Sequence, residues 1–336
     1  MKTVYVKVPF QVQIRDEPIR EPGPNEVLVR VRACGVCGTD LHVARKTAKD
    51  WRPIGHEIAG TVAEIGPGVT RFKPGDSVLV ENCTFCGVCE NCKNGRIDLC
   101  SSWFTMGSQP GVAEYVVMRE NSLYMFEDLP FVHTAIIEPL TVALDVTEVA
   151  NIPLNSIVCV MGPGPIGLMA VKAAKLHGAK TIVLVGNSHS TARLAAGKEL
   201  GADDIVLADK CDVAACINDR YPNGVDRVIV TSPPKTLRDA VKIAGFGSII
   251  AFVGIDYGGE ENVTFDVNEI HFKRLQIRAS HAVPNTRFPL ALDLLRRKVI
   301  DPAKIVTHVF PLDRTEEALR TTDQNKAEVV KTVIEC

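Results

Sequence analysis

Short β-branched runs separated by turn residues dominate the first 130 positions. Residues 27–31, 58–65 and 77–80 are examples, with Gly66-Pro67-Gly68 and Pro74-Gly75-Asp76 as punctuation. Apolar runs bounded by Gly, Pro and Asp predict strands, and this region reads as an antiparallel, all-β body. Near Glu138 the texture changes. Residues 138–150 carry apolar side chains at helical spacing, and Pro139 falls in the first turn, where its missing N–H has no helical partner to lose. From Ser156 strand and helix alternate: strands over 157–161, 181–185, 205–207, 225–230 and 248–253, helices over 166–177 and 191–200, the second stopped by Gly201. Such alternation predicts a parallel sheet covered on both faces. Beyond residue 278 the pattern offers a helix over 289–298 and a last strand over 329–334, a tail expected to return to the β-rich body. A chain of 336 residues exceeds one ordinary hydrophobic core. The expected class is therefore α/β plus all-β in two domains, one of residues 1–143 with 279–336 and one of residues 144–278.

Composition narrows the function classes. Hydrophobic residues make up 46% and charged residues 23%, as in a soluble globular protein. A net charge of -2 gives no general attraction to nucleic acid or to an anionic membrane, so neither is an expected partner. Gly and Pro interrupt the longest apolar run, around 161–169, well short of a membrane span. The opening Met-Lys-Thr-Val-Tyr-Val-Lys-Val scatters its charge and predicts a first strand, not a signal peptide. Eleven cysteines, an odd number in a long chain, point to thiols kept reduced for metal in the cytoplasm and away from a secreted disulfide scaffold.

Four of those cysteines stand at Cys86-x2-Cys89-x2-Cys92-x7-Cys100. Two-residue gaps let the backbone turn each sulfur inward, so the set can close as a tetrahedron on one structural zinc. Four thiolates leave that ion no open position. Cys83 lies outside the spacing and is not counted. A second potential set joins Cys37, in the segment 35–42, to His56 and Glu57. A thiolate and an imidazole are good zinc ligands, and a catalytic ion keeps one position open. Glu57 and Glu138 are both candidates for the carboxylate near it. Glu138 is an isolated acid in an apolar stretch, and the helix dipole alone would also favour it there. A lone Cys or His is more often a core residue than a ligand. The conjunction of Cys37, His56 and Glu57 with a downstream glycine loop carries the reading.

That loop is Gly162-Pro163-Gly164-Pro165-Ile166-Gly167, between an apolar strand and an amphipathic helix. In that context Gly162, Gly164, Pro165, Ile166 and Gly167 form a dinucleotide loop: the glycines allow the turn, let the backbone approach a pyrophosphate and let the helix pack on the strand. The helix N-terminus offers N–H groups and a positive dipole end to the phosphates. NAD binders usually place an acid about 20 residues later, against the ribose 2′-OH. No Asp or Glu lies between Gly178 and Lys198. That absence opens the site to NADP, with Ser188, His189 and Arg193 expected on the 2′-phosphate. An ordinary loop, with NAD held through Asn187 or Ser188, is the alternative.

These motifs, in this order and over essentially the whole length, resemble the zinc-containing medium-chain dehydrogenase/reductase family, and within it the polyol (sorbitol-type) branch. The resemblance implies a GroES-like catalytic domain and a Rossmann domain. It implies two zinc ions per chain, a catalytic one at Cys37 and His56 with Glu57 or Glu138 near it, and a structural one at Cys86, Cys89, Cys92 and Cys100. It implies hydride transfer between a secondary alcohol and NADP or NAD. The Thr39 hydroxyl, two residues from the thiolate, is expected to take the alcohol proton, and the resemblance implies that His42 passes it to solvent. Asp40 is expected to accept the ring N–H of His56. The implied substrate is a small polyhydroxylated molecule: a sugar alcohol, cyclitol, aminocyclitol or sugar phosphate. Trp51, Trp103, Phe104 and His281 fall in segments that line the cleft in the family, or else simply pack. A homodimer or homotetramer is expected, with residues 248–253 and 254–263 resembling the family's dimer edge. Three other readings compete. L-Threonine 3-dehydrogenase would need a carboxylate-binding cation. A zinc-knuckle regulatory or nucleic-acid-binding protein is disfavoured by near-neutral charge. A zinc-free quinone reductase is disfavoured by Cys37 and His56.

Overall fold

A computed structural model describes residues 1–256, 259 and 261–336. The chain divides into two compact units, residues 1–141 with 283–325 and 329–336, and residues 142–282 with 326–328.

The first unit is built on a seven-stranded sheet. Its path runs Leu123–Met125, Ser77–Val80, Glu57–Ile65, Glu26–Gly35, Lys331–Glu335 and Val306–Pro311, with Tyr115–Arg119 also paired to Glu26–Gly35. A three-stranded sheet of Gln11–Asp16, Lys2–Lys7 and Arg52–Pro53 accompanies it. Alternation puts Val27, Val29 and Val31 into the core with Val62, Val78, Leu123 and Ile334. The pairing is antiparallel, as the turn-punctuated runs predict, with one departure. Val306–Pro311 and Lys331–Glu335 run parallel. Parallel neighbours need a crossover, and helix Thr315–Gln324 supplies it. That helix escapes a search for long apolar stripes, because its buried side chains are only Thr315, Ala318, Leu319 and Thr322.

Three strand ends meet in this unit. Gly35 closes the central strand opposite Glu57 on one side and Val333 on the other. The chain leaves Gly35 directly into Cys37, and His56 immediately precedes the strand that Glu57 begins. A Cβ at Gly35 would collide with Oε2 of Glu57, so the glycine is what lets that carboxylate lie across the strand end.

The second unit holds a parallel sheet in the order Asp204–Leu207, Thr181–Gly186, Ile157–Met161, Val225–Val230, Ala244–Phe252, Gln276–Ala279. In chain order that is 3-2-1-4-5-6, the doubly wound Rossmann arrangement, with its switch point beside Ile157–Met161. Cys159, Met161, Val183, Val185, Val228, Val230 and Ile250 fill one core against the helices. The sheet edge differs from the expectation. Residues 248–252 belong to strand Ala244–Phe252, which is paired on both sides, to Val225–Val230 and to Gln276–Ala279, so its backbone groups are already used and Gln276–Ala279 is the edge on that side of the sheet. Of the segment 254–263, residues 257, 258 and 260 lie outside the described residues. Cys211 and Cys216 lie close together around the first turn of helix Val213–Arg220. Among the described residues no helix is long and apolar enough to cross a membrane.

Candidate active site

Cys37 stands at the start of the short helix Gly38–His42, and Asp40 lies in its first turn. Asp40 is buried, and both of its oxygens are engaged. Oδ2 accepts the Cys37 amide at 2.9 Å and Oδ1 accepts the Gly55 amide at 3.0 Å. One carboxylate thus ties the loop carrying Cys37 to the loop carrying His56. Nδ1 of His56 is 3.9 Å from Asp40 Oδ1, beyond a hydrogen bond. The direct Asp40–His56 bond expected from the sequence is therefore not formed, because the backbone amides have taken the acceptor positions.

The Sγ of Cys37, a ring nitrogen of His56 and a carboxylate oxygen of Glu57 all lie within 4.8 Å of one another. Adjacent ligands about 2.0–2.3 Å from a tetrahedral zinc stand roughly 3.5 Å apart, so small side-chain rotations close this set on one ion. Burial works against a charged His56, but the Cys37 thiolate, a hydrogen bond with it, Asp40 and Glu138 together draw its pKa well above the ordinary range. That surplus of negative charge around an imidazole is what a cation would satisfy.

Glu57 is fully buried and does not face the set alone. Its Oε1 accepts Lys331 Nζ at 2.6 Å, and its Oε2 also contacts that ammonium. Lys331, itself buried, donates further to the Val36 carbonyl at 2.9 Å. Sequence reasoning missed Lys331; no local motif marks a lysine 274 positions from its partner. Glu138, second residue of helix Ile137–Val149, stands outside the close triad and accepts Asn82 Nδ2 at 3.3 Å. Burial pushes its carboxyl up to about 7, against the opposing pull of His56.

A cavity of about 200 Å³ opens beside these ligands, lined by Thr39, Val43, Ile54, His56, Met106 and Ser108 among others. Thr39 Oγ1 is 3.8 Å from Cys37 Sγ. His42 lies one turn further along the same helix and is not part of the cavity wall. Of the aromatic residues expected at the cleft, Phe104 packs under Arg119 at 3.7 Å and Trp51 under Arg15 at 5.8 Å, while Trp103 is exposed. His281 belongs to the second unit.

Cys86, Cys89, Cys92 and Cys100 form one knot. Sulfur–sulfur separations are 4.0 Å for Cys86–Cys92, 3.5 Å for Cys89–Cys92, 3.9 Å for Cys89–Cys100 and 3.5 Å for Cys86–Cys100. Four sulfurs about 2.3 Å from a tetrahedral zinc would be roughly 3.8 Å apart, so the donor set fits that ion as it stands. Backbone amides also point at the sulfurs: Cys89 N–H donates to Cys86 Sγ and Cys86 N–H to Cys100 Sγ, both at 3.3 Å. Cys83 is buried and outside the knot.

In the second unit a cavity of about 470 Å³ is walled by the glycine loop, the end of strand Thr181–Gly186 and residues 187, 189, 190 and 193. Gly162, at φ +108°, and Gly167 are packed so closely that a Cβ would strike backbone. Gly164 is different: a Cβ there would meet no protein atom within 4 Å, so this face is open for a ligand to approach. Pro165 opens helix Pro165–Leu176, whose N-cap Gly164 supplies no side-chain cap, leaving first-turn amides to a phosphate. Ile166 comes next in that turn. His189 and Arg193 line the cavity as expected, but Ser188 does not. Its amide and hydroxyl are both held by Asp209, at 2.6 and 2.5 Å. Asp209 comes after the next strand, so no scan of residues 178–198 finds it.

Residues 23–128 match the family described as Alcohol dehydrogenase GroES-like domain, and residues 165–297 the family described as Zinc-binding dehydrogenase. The sorbitol dehydrogenase of Gallus gallus is 34% identical, over 97% of this chain and 93% of its own. A structure described as a short chain alcohol dehydrogenase from E. coli CFT073, complexed with NADH, aligns with a TM-score of 0.90 at 28% identity, covering 100% of this chain and 99% of the other. A zinc-binding dehydrogenase from Sinorhizobium meliloti 1021, bound to NADP, aligns at 0.88 and 29%, with the same coverage. The chain therefore belongs to the zinc-dependent medium-chain dehydrogenase family, in its polyol dehydrogenase branch, and is an alcohol or polyol oxidoreductase.

Proposed function

We propose that this enzyme moves hydride between a secondary alcohol of a small polyol, cyclitol or aminocyclitol and NADP, with one catalytic and one structural zinc in each chain. The approach of Cys37, His56 and Glu57 beside a cavity that presents the Thr39 hydroxyl carries the reading. When bound, zinc makes an alcohol hydroxyl acidic near neutral pH and the nicotinamide ring accepts hydride. The chain does the rest. Cys37 and His56 hold the ion; Asp40 fixes the two loops that carry them. Glu57, neutralised by Lys331, is the nearest carboxylate, and Glu138 is held back by Asn82. Thr39 receives the proton at Oγ1, and His42, three residues on in the same helix, relays it to solvent.

Valine is nearly isosteric with threonine and lacks the hydroxyl. Thr39→Val should cut kcat by about 10²–10⁴-fold, the usual weight of one positioned proton-transfer group, while zinc content stays unchanged. Turnover surviving in that variant rejects the relay.

The cavity wall favours polyols over threonine. No Lys or Arg lines it among the described residues, so a substrate carboxylate finds no cation there, whereas Thr39 and Ser108 offer hydroxyls. NADP is supported by Arg193 and His189 in the nucleotide cavity and by the absence of a carboxylate from its wall at residues 186–193. A panel of polyols, cyclitols, aminocyclitols and threonine, each assayed with NADP and NAD, tests both points. Oxidation of a polyol-type substrate with NADP is the expected result. Threonine as sole substrate overturns the first point, and tighter binding of NAD the second. We also propose a cytoplasmic homo-oligomer, to be checked by sedimentation.

A further inference from the structure

The C-terminal run does not stay wholly with the β-rich unit. Residues 326–328 cluster with the nucleotide unit. Two hydrogen bonds fasten them there, both to the Ala327 carbonyl: from the Ala192 amide at 3.0 Å and from Thr191 Oγ1 at 2.8 Å. Thr191 and Ala192 begin helix Thr191–Leu200, directly after the loop that ends the second strand of the sheet. In a doubly wound fold that loop faces the adenosine ribose. The fastening brings Lys326 into the wall of the 470 Å³ cavity, with Arg193 and His189. It also uses one of the first amides of the helix, so recognition of an anion at this spot falls to side chains.

We propose that Lys326 is a specificity-determining residue for the cofactor, a cation carried in by a distant strap to read the adenosine 2′-phosphate together with Arg193. The inference rests on the NADP reading. Three facts carry it. Lys326 and Arg193 come from segments 133 positions apart and line one cavity. The strap is held by bonds to its backbone at the helix start, so its position does not depend on the lysine side chain. Asp209, the acid beside the loop that ends the second strand, is spent on Ser188 and is not part of the cavity wall, and the carboxylate that does line the cavity, Asp239, comes from helix Leu237–Ile243 and not from that loop. A phosphate carries nearly two negative charges at neutral pH, where a ribose hydroxyl carries none, so a lysine here discriminates between the two cofactors and not merely for nucleotides in general.

Calorimetric titration of the zinc-loaded, full-length protein with 2′,5′-ADP and with 5′-ADP separates the possibilities without turnover. Wild type should bind 2′,5′-ADP more tightly. Lys326→Gln should weaken 2′,5′-ADP about tenfold, the weight of one charge-assisted contact, and change 5′-ADP by less than about twofold. Lys326→Arg should keep most of the preference. If wild type prefers 5′-ADP, the NADP reading fails and the inference with it. If wild type prefers 2′,5′-ADP but Lys326→Gln weakens both ligands equally or neither, the NADP reading stands and the role of Lys326 is overturned.

Discussion

Lys331→Met is expected to destabilise the β-rich unit by about 3–5 kcal/mol, the usual cost of removing one partner from a buried ion pair. Lys331 and Glu57 are both buried, and each is the other's charge partner. Without the ammonium, Glu57 would lie uncompensated against the Cys37 thiolate, and the Val36 carbonyl would lose its donor. Folded Glu57 would have to take up a proton or move. Glu57 also belongs to the proposed zinc set with Cys37 and His56, so zinc affinity should fall with stability. The companion variant Glu57→Gln/Lys331→Met distinguishes this from lost packing. Removing both charges should recover much of the lost stability, because the penalty lies in the orphaned carboxylate more than in the missing attraction. Denaturant midpoints followed by circular dichroism check both variants. A Lys331→Met protein as stable as wild type contradicts the pairing.

Cys37→Ser and Cys89→Ser should fail in opposite ways. Serine at 37 replaces a thiolate by a poor zinc ligand in the proposed set of Cys37, His56 and Glu57. Turnover should drop by at least about a thousandfold, since Lewis-acid stabilisation amounts to several kcal/mol and each 1.4 kcal/mol is a decade. The fold should survive, because Asp40 grips the Cys37 amide and not its sulfur. Serine at 89 breaks a closed four-sulfur set that holds a lobe with little regular structure, only the short helices Glu90–Lys93 and Ile97–Leu99. Proteolysis within residues 86–100 should accelerate while the Cys37 site keeps its metal. Limited digestion and zinc content per chain, measured on the same samples, tell the two apart.

How much of this can be read from the chain depends on how local each cause is. The sulfur knot is written in spacing alone, and the glycine loop in six consecutive residues between a strand and a helix. The Rossmann strands are legible because a strand buried on both faces reads as a continuous apolar run. Interactions between distant segments are not legible. Lys331 meets Glu57 only because the last strand pairs with Glu26–Gly35. Asp209 reaches Ser188 only through the parallel register of two strands. For Asp40 the sequence indicates the right neighbourhood but the wrong donor: a carboxylate at the third position of a helix finds backbone amides before it finds a side chain. The true sheet edge, Gln276–Ala279, stays hidden because edge and interior strands differ in their neighbours more than in their composition.

The central claim is that Cys37 and His56 grip a zinc ion, and one diffraction experiment addresses it without assuming a substrate. Anomalous difference maps from crystals of the purified protein, collected on both sides of the zinc absorption edge, should show two peaks in each chain, one among Cys86, Cys89, Cys92 and Cys100 and one between Cys37 and His56. A single peak in the sulfur knot, with Cys37 and His56 turned away from each other, would contradict the account.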